Sequence, residues 1–174
     1  MIMLRCIKYN FFEGYFNSGM KKRMAAFSLL LGFQGFLGWY MVKSGLNEPV
    51  KETDVPRVSQ YRLAAHLGSA FLLYTGFLWT SLTHLFEDQK MVAQMDAKFV
   101  RKINMRAHGL MALIFTTAVA GAFVAGLDAG LVYNSFPKMA DRWIPTDLFA
   151  HEPMWRNFFE NPTTVQFQHR ILGK

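Results

Sequence analysis

The sequence predicts an all-α integral membrane protein, a transmembrane helix bundle with three full spans and the start of a fourth. Hydrophobic residues make up 52% of the 174-residue chain, while its mean hydropathy is only +0.11, which is typical of long apolar runs separated by polar loops. Three of these runs are each long enough to cross a bilayer. The positively charged residues are concentrated in alternate connecting segments, as in multi-pass proteins.

The chain begins with an N-terminal segment, residues 1–23, that carries five Lys and Arg residues. The segment has neither a long apolar stretch nor a small-residue cleavage site, so we expect no signal peptide there. It is also too short and too aromatic for a mitochondrial transit peptide. The first predicted span, residues 24–42, contains 19 residues without a charge. About 20 apolar residues suffice to cross the roughly 30 Å hydrocarbon core, so we predict a membrane-spanning helix.

Two further spans are predicted in the same way. Residues 63–85 form a 23-residue run in which only His66 and His84 can ionise. Residues 107–127 form a 21-residue run in which only His108 can ionise. The alternative is that all three runs are buried helices of a soluble protein, but a chain of this length has too little remaining sequence to cover them.

The long loop 128–168 contains four prolines and many aromatic residues. We expect short helices at the membrane surface in it, because Trp and Tyr favour that depth. A further segment, residues 168–174, is predicted to be the first turn of a fourth helix. An ending at that point is unusual for a complete gene product, and we expect an incomplete gene model.

Lys and Arg residues indicate the orientation. Loop 86–106 carries five of them, loop 43–62 carries four together with three acidic residues, and the longer loop 128–168 carries only three. The positive-inside rule therefore places the N-terminus and loop 86–106 inside, with the other two loops outside.

The overall charge of +7 does not indicate a nucleic-acid-binding protein. No run of Lys and Arg exceeds three residues and no recognition motif accompanies the charge. Cys6 is the only cysteine, which excludes an intramolecular disulfide and a thiolate metal cluster. No Ser/His/Asp set, phosphate-binding loop or HExxH motif is present, so neither a hydrolase nor a nucleotide enzyme is supported.

His66 is the first candidate site residue. It lies one turn inside the second predicted span, roughly 5 Å below its start, and small residues such as Ser69 share its face. Arg62 lies one turn above it, where it could meet an anionic group. An ionisable residue inside a membrane span indicates function, and a neutral imidazole is a common haem-iron ligand. The alternative is a histidine that only packs between helices.

His169 is the second candidate, at the start of the fourth segment and again on the outer side. Arg170 follows it directly, and a guanidinium pairs well with a carboxylate such as a haem propionate. We expect the remaining histidines to have no ligand role. His84 and His108, near the inner ends of their spans, are predicted to be structural, and His151, in the outer loop, to be solvated.

Several sequence blocks resemble haem A synthase of the mitochondrial type: residues 34–46, 56–68, 121–130 and 133–139, followed by 160–163 with 166–167 and 169–173. The similarity extends in order from about Gly19 to Lys174, while residues 1–18 carry no part of it. Members of this family are eight-helix membrane proteins made of two similar four-helix halves. The resemblance therefore implies that the chain is an internal piece of such a bundle.

The resemblance also implies an activity. The family oxidises the C8 methyl group of haem O to a formyl group, which gives haem A for cytochrome c oxidase. The N-terminal half holds the substrate haem and the C-terminal half holds haem b, each between two histidines. His66 corresponds to the second histidine of the N-terminal half, and His169 to the first of the C-terminal half. The two residues would thus ligate the iron of two different haems, with Arg62 and Arg170 on the propionates.

This sequence departs from the family in lacking the Glu-x-x-His-Arg motif, which supplies another histidine and the catalytic glutamate. The final histidine is also absent, so the catalytic residues are unknown and we expect this chain alone to be inactive. Two alternatives remain open: a non-catalytic b-type haem protein that transfers electrons, and a structural or assembly subunit without a cofactor.

The resemblance places the protein in the mitochondrial inner membrane. The N-terminus and loop 86–106 would then face the matrix, and loops 43–62 and 128–168 the intermembrane space. The expected partners are membrane lipid, haem, a second copy of the chain, haem O synthase and an electron donor such as ferredoxin, with no nucleic acid.

Overall fold

The computed structural model describes residues 17–47, 57–86 and 95–174. Within them, all repeating secondary structure is helical, as the sequence predicts. The three long helices are α1 (Ser18–Asn47), α2 (Gln60–Leu85) and α3 (Ala97–Gly126). Two shorter helices follow, α4 (Asn157–Glu160) and α5 (Pro162–Leu172), and single 3-10 turns occupy Ala129–Leu131 and Met154–Arg156.

The three long helices are each long and apolar enough to cross a membrane. Helix α2 lies between α1 and α3 and packs against both, while α5 packs against α3. Of the most apolar 18-residue stretch in each helix, the one in α2 is consequently the most buried. In α2, 22% of this stretch is buried, against 0% in α1 and 6% in α3. The outward faces expose large apolar side chains, including Leu29, Leu72 and Met105, as expected for helices whose solvent is lipid.

The helices extend beyond the apolar runs from which they are predicted. Helix α3 begins at Ala97 rather than near residue 107, because the Asp96 carboxylate caps it by accepting a hydrogen bond of 3.0 Å from the Lys98 amide. Helix α1 begins at Ser18 rather than near residue 24, after Asn17, whose side chain accepts from the Met20 amide at 2.8 Å. Lys and Arg are good helix formers, so the helices continue through the basic segments.

The last helix also begins earlier than predicted, at Pro162 rather than at residue 168. Asn161 is its N-cap and accepts from the amides of Thr163 and Thr164, and proline is well suited to the first helical position. The last residues of the predicted outer loop are thus helical. The short helices between residues 129 and 160 agree with the expectation of short helices in this loop.

The buried core lies mainly in the outer loop and α5. From Asn157 onward the buried residues are mostly polar, namely Asn157, Asn161, Thr163, Thr164, Val165 and Gln166, whereas Ala129, Met139 and Leu148 are apolar residues buried earlier in the loop. The Asn161 amide donates to the Leu148 carbonyl at 3.2 Å and the Asn157 amide to the His151 carbonyl at 2.7 Å. Because buried polar groups are usually paired in this way, these bonds join the start of α5 to the preceding loop.

Candidate functional site

His66 lies on the face of α2 that packs against α1. Since α2 begins at Gln60, His66 is six residues inside the helix, or about 9 Å along its axis, and so deeper than the single turn expected. Its half-buried ring lies directly over Gly38. A Cβ atom added at Gly38 would be 3.2 Å from Cε1 of His66 and 3.5 Å from Nε2. A residue with a Cβ atom at position 38 would require the imidazole to shift by a few tenths of an ångström.

A polar contact fixes the two helices beside this ring. The Gln34 side-chain amide donates to Oγ of Ser69 at 2.6 Å and approaches the carbonyl of His66 at 3.4 Å. Ser69 in turn donates to the carbonyl of Ala65 at 2.7 Å. Gln34 was not among the predicted site residues. An amide side chain within the uncharged run of residues 24–42 was the feature of the sequence that could have indicated it.

His169 has the same surroundings on a different pair of helices. It projects from α5 onto α3, where a Cβ atom added at Gly121 would be 3.1 Å from Cε1 and 3.6 Å from Nε2 of the ring. Thr117, one turn before this glycine, approaches the Leu172 carbonyl at 3.3 Å. The structure thus places His66 and His169 in two separate helix pairs, α1–α2 and α3–α5.

In both histidines the Nδ1 atom is buried without a hydrogen-bond partner among the described residues. A buried polar atom without a partner is energetically unfavourable, and such atoms are frequent where a ligand binds. In the part of the chain that the structure describes, no three His, Cys, Asp or Glu residues are grouped to hold a metal ion. Single histidines over glycine fit an iron whose equatorial ligands come from a porphyrin.

Arg62 lies on α2, one turn before His66. Its side chain is half-buried, and the guanidinium carbon lies 6.0 Å from the centroid of the Tyr40 ring on α1. This distance corresponds to a weak cation–π contact. The positive charge is therefore held near the start of α2, one turn before the histidine.

Arg170 contacts the outer loop. Its guanidinium donates to the carbonyls of Ser135 and Tyr133, both at 2.8 Å, and to that of Lys138 at 3.3 Å. These carbonyls carry no net charge, so the contacts hold the guanidinium in place without neutralising it. The arginine also fixes residues 133–138 close to His169.

The other three histidines lie elsewhere. His84 is in the exposed last turn of α2. His108 is exposed on α3, with Nδ1 at 2.7 Å from the Asn104 carbonyl, a local contact that His66 and His169 do not have. The backbone of His151 is held by the side chain of Asn157, and the residue is half-buried rather than solvated.

A hydrogen-bond network around Asp147, which was not predicted from the sequence, holds the start of α5. The Asp147 carboxylate accepts from Tyr133 at 3.0 Å and from Thr163 at 2.6 Å. Burial would raise the pKa of the Asp147 carboxyl, but the hydrogen bonds from these two hydroxyls keep its pKa below the ordinary value. The bond to Asp147, with burial, raises the pKa of Tyr133. The Asn161-Pro162 pair in the sequence is typical of the start of a helix and could have indicated where α5 begins.

A second set of contacts joins the start of α2 to the outer loop. Tyr61 donates to Glu160 at 3.0 Å, and its ring meets that of Phe123 edge-on at 5.7 Å. Backbone atoms of Gln60 lie so close to Gly126 that an added Cβ would be 2.5 Å from Cα of Gln60. The helix pair that carries His66 is thereby packed against the pair that carries His169.

The family described as "Cytochrome oxidase assembly protein" matches the chain over residues 1–174. The match thus reaches further towards the N-terminus than the blocks that carry the resemblance. Residues 1–16 lie outside the described part of the structure. No solved structure matches the chain.

Similar proteins come from animals, plants and bacteria. The human protein named Heme A synthase COX15 is 59% identical over 161 residues, which is 92% of this chain and 38% of that protein. The Arabidopsis thaliana protein of the same name is 45% identical over 161 residues. The Parvibaculum lavamentivorans protein named Heme A synthase is 46% identical over 151 residues, 87% of this chain and 40% of that protein. The chain thus spans about 38% of the human relative's length.

Proposed function

The chain belongs to the family of cytochrome oxidase assembly proteins, and on that premise we propose that it carries part of both haem sites of a haem A synthase. The proposed reaction is oxidation of the C8 methyl group of haem O to a formyl group. The observation that carries the proposal is the pair of histidines: each lies against a glycine of a neighbouring helix, and each has a buried Nδ1 with no partner among the described residues.

We propose that His66 is an axial ligand of the substrate haem and His169 an axial ligand of a separate haem b. The haem iron, when bound, supplies the redox chemistry. The chain's own part is to hold each imidazole against a glycine of the neighbouring helix. The second ligand of each haem and the catalytic glutamate would come from the part of the relatives' length that this chain does not span. By itself the chain is therefore expected to be inactive.

Arg62 and Arg170 are proposed to pair with haem propionates. Both carry a positive charge close to a candidate ligand. Arg62 lies over Tyr40 and Arg170 is held by three loop carbonyls, so each guanidinium is already ordered before a carboxylate arrives. An ordered donor loses less conformational freedom on binding, which supports this role.

The proposed location is the mitochondrial inner membrane, as a multi-pass protein within an eight-helix bundle of two halves. The asymmetry of Lys and Arg supports an orientation with the N-terminus and loop 86–106 in the matrix and loops 43–62 and 128–168 in the intermembrane space. Lipid and haem are the proposed immediate partners. A second copy, haem O synthase and a ferredoxin-type electron donor are proposed as further partners.

The test uses the protein expressed from the longest transcript that contains this sequence, purified in detergent. His66→Ala and His169→Ala are each expected to remove one of two haems, so the haem-to-protein ratio falls by about half, since loss of an axial ligand weakens haem binding. His108→Ala is the matched control, because His108 is exposed and has a local partner. Unchanged haem content in both variants would overturn the proposal.

A non-catalytic b-type haem protein is the second candidate. It is favoured by the two histidines that lie against glycines, because they could hold haem whether or not its methyl group is oxidised. Incubating the purified protein with haem O and a reductant under air separates the two. Formation of haem A, seen by chromatography of the extracted pigments, supports the enzyme, whereas haem binding with no conversion supports the electron carrier.

A further inference from the structure

We propose that Gly38 and Gly121 are positioning residues that set the planes of the His66 and His169 imidazoles. The inference rests on the proposed function, in which these two histidines ligate haem iron. It adds that each histidine is oriented by contact with a glycine of the neighbouring helix, where no side chain separates the ring from the backbone. The two glycines would act on the haem only through the histidine rings.

The geometry of the two pairs is closely similar. An added Cβ at Gly38 would be 3.2, 3.5 and 3.9 Å from Cε1, Nε2 and Nδ1 of His66. At Gly121 the distances to the same atoms of His169 would be 3.1, 3.6 and 3.7 Å. In both pairs Cε1 is therefore the ring atom nearest to the glycine. Contacts of 3.1–3.2 Å are too short for a carbon pair, so a methyl group here would make the ring rotate or the helices separate.

The surroundings of the pairs repeat in the same register. One turn before each glycine stands a polar residue, Gln34 or Thr117, that contacts the histidine-bearing helix. The contact reaches the residue three positions after each histidine, Ser69 at its hydroxyl and Leu172 at its carbonyl. An accidental close approach would not recur with this spacing on two different helix pairs, so the recurrence indicates a constraint on the rings.

Other glycines of the long helices show that this contact is specific. At Gly32, Gly35 and Gly109, an added Cβ would have no atom of the described residues within 4 Å, apart from the backbone of its own helix. Gly126 lies against helix backbone, and Gly76 lies against the ring of Phe27. Among the glycines of α1, α2 and α3, only Gly38 and Gly121 lie against an imidazole.

The orientation of an axial imidazole affects the electronic structure of low-spin haem iron, because its plane sets the overlap with the iron d orbitals. Packing around a ligand tunes a metal site in the same general way as its hydrogen-bonded neighbours do. A methyl group at either glycine should therefore change the spectrum of one haem and leave the other unaltered.

The experiment compares Gly38→Ala with Gly35→Ala on α1, and Gly121→Ala with Gly109→Ala on α3, in the protein from the longest transcript. Electron paramagnetic resonance of the oxidised haems is the main readout, and haem retention during dilution is the second. Gly38→Ala should shift the low-spin signal of the haem that His66→Ala removes, and weaken retention of that haem on the order of tenfold. Gly121→Ala should do the same for the other haem, and both controls should resemble the parent.

The outcomes separate this inference from the proposed function. If His66→Ala removes a haem while Gly38→Ala gives the spectrum of Gly35→Ala, the positioning role is overturned and the ligand role stands. If His66→Ala removes no haem, the proposed function itself fails.

A variant that retains no haem is tested by a double-mutant cycle on the unfolding of the haem-free protein. The positioning role requires Gly38→Ala to be destabilising beside His66 and not destabilising in the His66→Ala background, since the methyl group then meets no ring. Equal destabilisation in both backgrounds overturns the inference.

Discussion

Asn161 holds the last helix in place, and its replacement by alanine should release the segment that carries His169. The side chain is 3% exposed. Its carbonyl oxygen caps α5 by accepting from the amides of Thr163 at 2.9 Å and Thr164 at 3.5 Å. Its amide donates to the carbonyls of Asp147 and Leu148, at 2.8 and 3.2 Å.

The magnitude follows from these contacts. Loss of an N-cap side chain costs about 1 kcal/mol. Leaving buried carbonyls without their donor adds about 1–3 kcal/mol, because they are desolvated and no water replaces the amide. The expected loss in unfolding free energy is therefore about 2–4 kcal/mol. His169 lies eight residues, or about 12 Å, along the helix from the cap, so its seat on Gly121 should loosen as well.

The assay is unfolding of the detergent-solubilised protein, followed by circular dichroism, together with the haem-to-protein ratio. Asn134→Ala is the matched control, since Asn134 is an exposed asparagine of the same loop. Asn161→Ala should lower stability and release only the haem assigned to His169. The reasoning is refuted if the two asparagine variants unfold alike, or if the haem assigned to His66 is lost first.

Three further predictions concern the outer loop and the packing of the helices. The folded-state pKa of Asp147 is depressed, so its stabilisation is present above the unfolded pKa of about 3.9 and is lost as pH falls through the lower folded pKa. Unfolding measured against pH should show a decline below about pH 4 in the parent that Asp147→Asn lacks. Gly126→Ala should cost about 1–3 kcal/mol, because the new Cβ meets backbone of Gln60, whereas Gly109→Ala should not be destabilising in the same unfolding assay. Arg57→Ala removes the 2.8 Å ion pair between Arg57 and Asp128, whose side chains are 57% and 46% exposed. It should therefore change the free energy of unfolding by less than about 1 kcal/mol, and any change should vanish in high salt.

Much of the fold could be predicted because the main signal is local. A run of about 20 apolar residues specifies a span whatever it packs against, and residues 24–42, 63–85 and 107–127 all lie largely within the long helices observed. The helix starts could not be predicted from hydropathy, since Asn17 and Asp96, whose side chains accept from the first amides of α1 and α3, lie in polar sequence. The sequence also marks Asn161 as an N-cap, but the apolar pattern placed the start of α5 at residue 168, several residues after the observed start at Pro162.

His66 could also be proposed from sequence, because an ionisable group inside an apolar span is conspicuous, whereas His169 was proposed from its place beside Arg170 and from the resemblance. What the sequence by itself determined is therefore the membrane class, the three spans and the identity of His66 and His169 as the residues to examine. Only the tertiary structure decided that Gly38 and Gly121 lie beneath their rings and that Gln34 fixes one of the pairs. Glycine is frequent in membrane helices, and which glycine faces which histidine depends on how two helices pack, a relation that neither helix encodes alone.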